Sequence, residues 1–76
     1  MDLESIAQRL DSNEKLRIKY RIPVRANDGA TTWEERVDKL LDVDTTRQMF
    51  YVAFEGDSVI WVKLDEAIEV TQDNDA

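Results

Sequence analysis

The chain has 76 residues, 17 of them acidic and 10 basic, with no histidine and no cysteine. A disulfide framework, a Cys/His zinc site and a histidine acid, base or pH switch are therefore excluded. The length holds one domain, which buries roughly 60% of the surface its unfolded form exposes. The net charge of −7 predicts a protein that repels bare nucleic acid over most of its surface. The longest apolar runs, residues 49–54 and 59–62, are strand-sized, so no membrane partner is expected. The acidic start Met1-Asp2-Leu3-Glu4 differs from the basic and then apolar pattern of a secretory signal, so a cytoplasmic location is expected.

In chain order, Leu3, Ile6, Ala7 and Leu10 recur at helical spacing, with Asp2 placed to cap the helix that Asp11-Ser12-Asn13 ends. From Leu16 to Val24 the pattern alternates: Leu16, Ile18, Tyr20, Ile22 and Val24 face one way, and Arg17, Lys19, Arg21 and Pro23 the other. This is a half-buried strand, and Pro23 suits an edge or a strand end. Ala26-Asn27-Asp28-Gly29 supplies turn residues able to take positive φ.

Two periods fit residues 31–44. As a helix, Thr32 is the N-cap of a capping box with Glu35, and Trp33, Val37, Leu40 and Leu41 form a stripe. As a strand, Val37, Lys39, Leu41 and Val43 alternate toward a turn at Asp44-Thr45-Thr46-Arg47. Both readings stand at this point. Residues 48–54 and 59–64 are two strands joined by Glu55-Gly56-Asp57-Ser58, a hairpin signal. Leu64 to Ala67 predicts a short turn of helix and Ile68 to Val70 a last strand. Residues 1–70 then make the domain, and 71–76 an acidic, disordered tail.

Both hairpin strands are apolar on both faces, which calls for a cover, and the N-terminal helix is the obvious one. If the helix packs elsewhere, Met49, Tyr51 and Trp61 form an exposed apolar patch, a surface for a protein partner or for a homodimer.

Catalysis is not expected. Ser5, Ser12 and Ser58 have no histidine to activate them, and Gly29 and Gly56 are too far apart for a phosphate-cradling loop. Asp42 and Asp44 would share a strand face, but two carboxylates without further oxygen ligands make a weak cation site. No metal or cofactor is called for. The more informative feature is charge distribution. Lys15, Arg17, Lys19, Arg21 and Arg25 fall in eleven residues without an acid, giving this segment +5 and leaving −12 to the rest of the chain. Along the strand the basic groups stand about 7 Å apart, which matches phosphates along a nucleic-acid strand or acids along a peptide. The alternative is neutralisation within the fold, by Glu69, Glu66 or Asp65 on neighbouring strands. No aromatic accompanies the stripe unless Trp33 or Trp61 comes round to it, which weakens the nucleic-acid version.

Three stretches, Leu16-Arg17-Ile18-Lys19-Tyr20, the run from Val37 to Asp44, and the ending from Val59 to Val70, together resemble the YolD-like family of small Gram-positive proteins, in a pattern shared with Sm-like and SH3-like small barrels. The resemblance implies a small bent β-sheet or barrel and an accessory role beside a translesion DNA polymerase, with no catalytic residues. The expected fold is α+β and β-dominated: a short helix, then four or five bent antiparallel strands. The alternative packs a helix at 32–41 on three or four strands. The expected function is a non-catalytic interaction or regulatory module for a protein partner, less favourably nucleic acid, contacting through Arg17, Lys19, Arg21 and Arg25 and through Met49, Tyr51 and Trp61. The alternative is an acidic nucleic-acid mimic, such as a phage-encoded inhibitor.

Overall fold

The computed structural model describes residues 1–55 and 57–73. Among these residues one helix, α1 (Leu3–Asp11), precedes five strands: β1 (Leu16–Arg25), β2 (Thr31–Asp44), β3 (Met49–Phe54), β4 (Ser58–Lys63) and β5 (Ala67–Gln72). A 3-10 turn at Leu64–Glu66 links the last two. The protein is α+β and β-dominated.

Each end of α1 is closed by its own side chains and backbone. The Asp2 carboxylate accepts from the Glu4 and Ser5 amides at 3.1 and 3.4 Å, satisfying two of the helix's free donors. At the other end Asn13 takes φ 65°, its N–H bonds the Leu10 carbonyl and the Glu14 N–H that of Arg9. This pair of bonds around a left-handed residue is the Schellman ending, here clamped by an Arg9–Glu14 ion pair at 3.3 Å.

All strand pairs are antiparallel, in the order β4-β3-β2-β1-β5. Leu16, Ile18 and Tyr20 of β1, Leu40 of β2, Phe50 and Val52 of β3 and Val62 of β4 line one face, and Leu3 and Ile6 of α1 close it into the core. β4 and β5 occupy opposite edges of the sheet, yet three residues join them. In a flat sheet four spacings of about 4.8 Å would hold those edges ~19 Å apart. The chain from Lys63 to Ala67 reaches roughly 14 Å, so the sheet must bend. Among the described residues its edges are not hydrogen-bonded to each other, and the sheet is bent without being closed.

Residues 31–44 are a single strand, which corrects the helix alternative at 32–41. Of the helical stripe only Leu40 is buried, whereas Trp33, Val37 and Leu41 are exposed. An unbroken register with β1, from Leu16 opposite Leu40 to Arg25 opposite Thr31, holds the segment extended. The expected strand phase is corrected as well. Val37 faces away from the core, and an extra residue at Leu41, where the β2–β3 register shifts, reverses the alternation so that Val43 returns to it. Likewise β5 runs to Gln72, past the expected domain end at Val70, and the Asp73 N–H bonds the Lys15 carbonyl at 2.8 Å. The remainder of the expected tail, 74–76, lies outside the described residues.

β1 and β2 outrun their neighbours. β5 flanks β1 only from Leu16 to Tyr20, and β3 flanks β2 only from Leu40 to Asp44. Beyond these limits, among the described residues, the two strands pair with each other alone, as an arm closed by the turn at 26–30. There Gly29 takes φ 87°, its N–H bonds the Ala26 carbonyl, and the Asp28 carboxylate accepts from the Ala30 N–H at 3.0 Å.

Candidate binding face

Directly opposed residues in a sheet point to the same side, so the register defines the face turned away from α1. It carries Arg17, Lys19, Arg21 and Pro23 from β1, with Lys39, Val37, Glu35 and Trp33 opposite them on β2. Farther across it carries Asp42 and Asp44, then Met49 and Tyr51 of β3, then Lys63 and Trp61 of β4. The helix does not cover it: the expected cover lies on the other face, where Leu3 and Ile6 join the core cluster.

Met49, Tyr51 and Trp61 are thus brought together outside the core. The Tyr51 and Trp61 rings stack at 4.7 Å with an interplanar angle of 25°. Met49 and Tyr51 are partly buried, while Trp61 is 48% exposed beside Val59 at 44%. A stacked aromatic pair of this kind contributes about 0.5–1.5 kcal/mol beyond the area it buries, but Trp61 remains half exposed.

Three of the four predicted basic residues also share this face. Arg17 pairs with Asp73 at 3.3 Å and stands opposite Thr71 and Lys39. Lys19 pairs with Glu35 at 3.3 Å and stands opposite Glu69. The Arg21 guanidinium lies 4.6 Å from the centroid of the Trp33 ring, a cation–π contact. Arg25 stands apart at the tip of the arm, opposite Thr31. Neutralisation within the fold therefore reaches Arg17 and Lys19, through Asp73 and Glu35, with Glu69 facing Lys19. Arg17 and Lys39, two like charges directly opposed, cost about 0.2–1 kcal/mol without a counterion, which the Asp73 carboxylate offsets in part.

A second cluster was not foreseen. On the core face the Tyr20 hydroxyl donates to the Asp38 carboxylate at 2.6 Å, and the Arg36 Nε donates to the same oxygen at 3.2 Å. The Arg36 guanidinium also reaches Glu55 at 3.4 Å and lies 4.3 Å from the Phe54 ring centroid. Burial, followed by the bond to Asp38, pushes the Tyr20 hydroxyl up to about 12. For Arg36 burial opposes the charge, but its bonds to Asp38 and Tyr20 outweigh that and raise its pKa. The only sequence signal was the β1 register, which sets Asp38 opposite Ile18 and Arg36 opposite Tyr20. This polar trio closes the core where the arm begins.

Asp42 and Asp44 are occupied locally. Asp42 accepts from the Val43 N–H at 2.8 Å, and Asp44 accepts from the Thr46 and Arg47 amides at 3.0 Å each, which shapes the β2–β3 turn. Among the described residues no three acidic side chains gather to hold a metal ion, and no helix is long and apolar enough to cross a membrane. An open groove beside the aromatic pair is lined by Arg47, Gln48, Met49, Lys63, Leu64 and Asp65. Comparison with family models, curated proteins and solved structures finds no match for the chain.

Proposed function

We propose that this chain is a non-catalytic binding module whose contact surface is the sheet face opposite α1, and that its partner is a protein. The observation that carries the proposal is the Tyr51–Trp61 stack, which lies outside the core with the Trp61 indole half exposed. Tryptophan and tyrosine supply large contact areas at small entropic cost and dominate the energetics of protein interfaces. Lys39 and Lys63 on the same face suit a partner that presents apolar side chains among acids. The resemblance to the YolD-like family supports an accessory role in bacterial or phage DNA metabolism. The short link between β4 and β5, which obliges the sheet to bend, supports an SH3-like or Sm-like small barrel as the finer description of the fold.

Affinity capture with the wild-type chain, a Trp61→Ala/Tyr51→Ala variant and a Gln8→Ala variant on exposed α1 tests this reading. A partner held by wild type and Gln8→Ala but lost from the aromatic variant is the expected result. Equal capture by all three would remove the face from consideration.

A second reading, single-stranded nucleic acid on the same face, draws on the Arg21–Trp33 contact, which supplies the aromatic that the basic stripe lacked in the sequence. Amide shifts of the labelled protein on adding a short single-stranded oligonucleotide separate the two. Shifts along Arg17 to Arg25 at low salt that vanish at about 0.3 M salt favour nucleic acid. No shifts at either salt leave the protein reading alone.

A further inference from the structure

We infer that the outer edge of the arm on β2 is a self-association site, where a second copy of this chain adds its own β2 in antiparallel register centred on Glu35. This goes beyond the proposed binding face, since it uses backbone at an edge and requires neither Tyr51 nor Trp61.

The phase of the ladder determines which backbone groups are free. The Ala26 N–H bonds the Ala30 carbonyl at 2.8 Å, and Ala26 and Ala30 continue the pairing in which Val24 opposes Thr32. Bonded pairs alternate along an antiparallel ladder, so the even-numbered residues of β1 and β2 bond each other across the arm. On the other side of β1, the Asp73 N–H bonds the Lys15 carbonyl, which gives the odd-numbered residues of β1 to its outer edge. Trp33, Glu35 and Val37 accordingly turn their N–H and C=O groups toward the β3 side, where among the described residues no strand pairs with them; β3 ends at Phe54, and Glu55 beyond it reaches Arg36 at 3.4 Å.

The two edges of the arm are not equivalent. The outward residues on the β1 side are Arg21, Pro23 and Arg25, and Pro23 has no N–H to offer an incoming strand, a common means of closing an edge. The β2 side has no proline between Thr31 and Asp44. It is an open edge flanked by two exposed apolar side chains, Trp33 and Val37, each 51% exposed.

The edge is complementary to itself. A twofold axis relating antiparallel strands in one sheet runs through a residue opposite its own copy, and each contact then occurs twice. With Glu35 on the axis, Trp33 meets Val37 of the second copy on the outer face, and Glu34 meets Arg36 of the second copy on the core-side face. Both pairs repeat by symmetry; the first joins apolar to apolar, and the second adds an acid beside an Arg36 that Asp38 and Glu55 of its own chain already hold. The outward backbone groups of residues 33, 35 and 37 then fall opposite one another, with the spacing a ladder needs. The unfavourable contact is between the two Glu35 carboxylates, and each already has a cation, Lys19 at 3.3 Å.

The absence of cysteine makes the test direct. Mass by light scattering is measured across about 5–500 μM for wild type, Glu35→Pro and Trp61→Ala. Proline at 35 removes only an outward N–H and leaves the β1 ladder whole, and circular dichroism verifies that the fold persists. The expected result is a wild type that passes from 8.8 kDa to twice that mass, a Trp61→Ala variant that does the same, and a Glu35→Pro variant whose dissociation constant rises at least tenfold. In a second arm, Glu35→Cys oxidises to a disulfide dimer at low concentration, because bonded pairs stand about 5.5 Å apart at Cα, within disulfide reach. Arg25→Cys at the tip does not. A wild type monomeric throughout, or a dimer indifferent to Glu35→Pro and abolished by Trp61→Ala, overturns the inference. The second outcome would instead place the dimer on the aromatic face, so failure here is distinguishable from failure of the proposed function.

Discussion

The same strand, β1, behaves in two ways along its length. From Leu16 to Tyr20 it has β2 on one side, β5 on the other and α1 over the core face, and its inward side chains Leu16, Ile18 and Tyr20 are fully buried. From Arg21 to Arg25 the alternation continues, but β5 has ended, and Ile22 is partly exposed and Val24 38% exposed. A pattern of alternating apolar residues therefore specifies a strand and a face, while burial depends on what flanks the strand. The body is a cooperative core; the arm is a two-stranded ribbon of a kind marginally stable in isolation.

The largest contrast should come from truncating one side chain in each region. Phe50→Ala in the body is expected to cost about 3–5 kcal/mol, enough to unfold most of a domain whose stability is on the order of 5 kcal/mol. Val24→Ala in the arm should cost less than about 0.5 kcal/mol. Urea denaturation followed by circular dichroism measures both, and similar losses would erase the distinction.

The boundary between the regions is the Tyr20–Asp38–Arg36 trio, and its signature is alkaline. The folded hydroxyl of Tyr20 is raised to about 12 from its ordinary value near 10. The folded chain therefore keeps a proton that the unfolded chain releases. The resulting stabilisation is fully present below pH 10 and falls as pH rises toward 12, by a total of about 2–3 kcal/mol. Tyr20→Phe should flatten that slope, measured as denaturation midpoint against pH. An unchanged slope would mean the hydroxyl is not held by Asp38.

How much of this division was legible in the sequence follows from the residues. The helix with its Asp2 cap, the alternation of β1 and the β3–β4 hairpin were legible because apolar content and period agree there. β2 was not, because its first half lies in the arm, where no core selects an apolar face, and because Leu41 reverses its phase. Asp38 on the core side could not be anticipated, since an acid in that row is explained only by the hydroxyl opposite. The basic stripe was legible as a face, but its partners Asp73 and Glu35 were not, as one lies in the expected tail and the other in the ambiguous segment.

A smaller effect is expected at the tip. Gly29 has φ 87° and nothing within 4 Å of where a Cβ would stand, so Gly29→Ala meets no clash and costs only backbone strain, about 1 kcal/mol. The loss should fall on the arm alone, seen as faster amide exchange at Val24 and Thr32 with the body unchanged.

Amide hydrogen exchange, resolved by residue at a concentration where light scattering shows a monomer, tests the division between body and arm most directly. The account predicts slow exchange, near the global unfolding limit, for Ile18, Tyr20 and Leu40, and exchange at least a hundredfold faster for Ile22, Val24, Thr32 and Glu34, although all seven amides belong to the same β1–β2 ladder. Equal protection along the whole ladder would contradict it, and would mean that the arm folds and unfolds as part of the body.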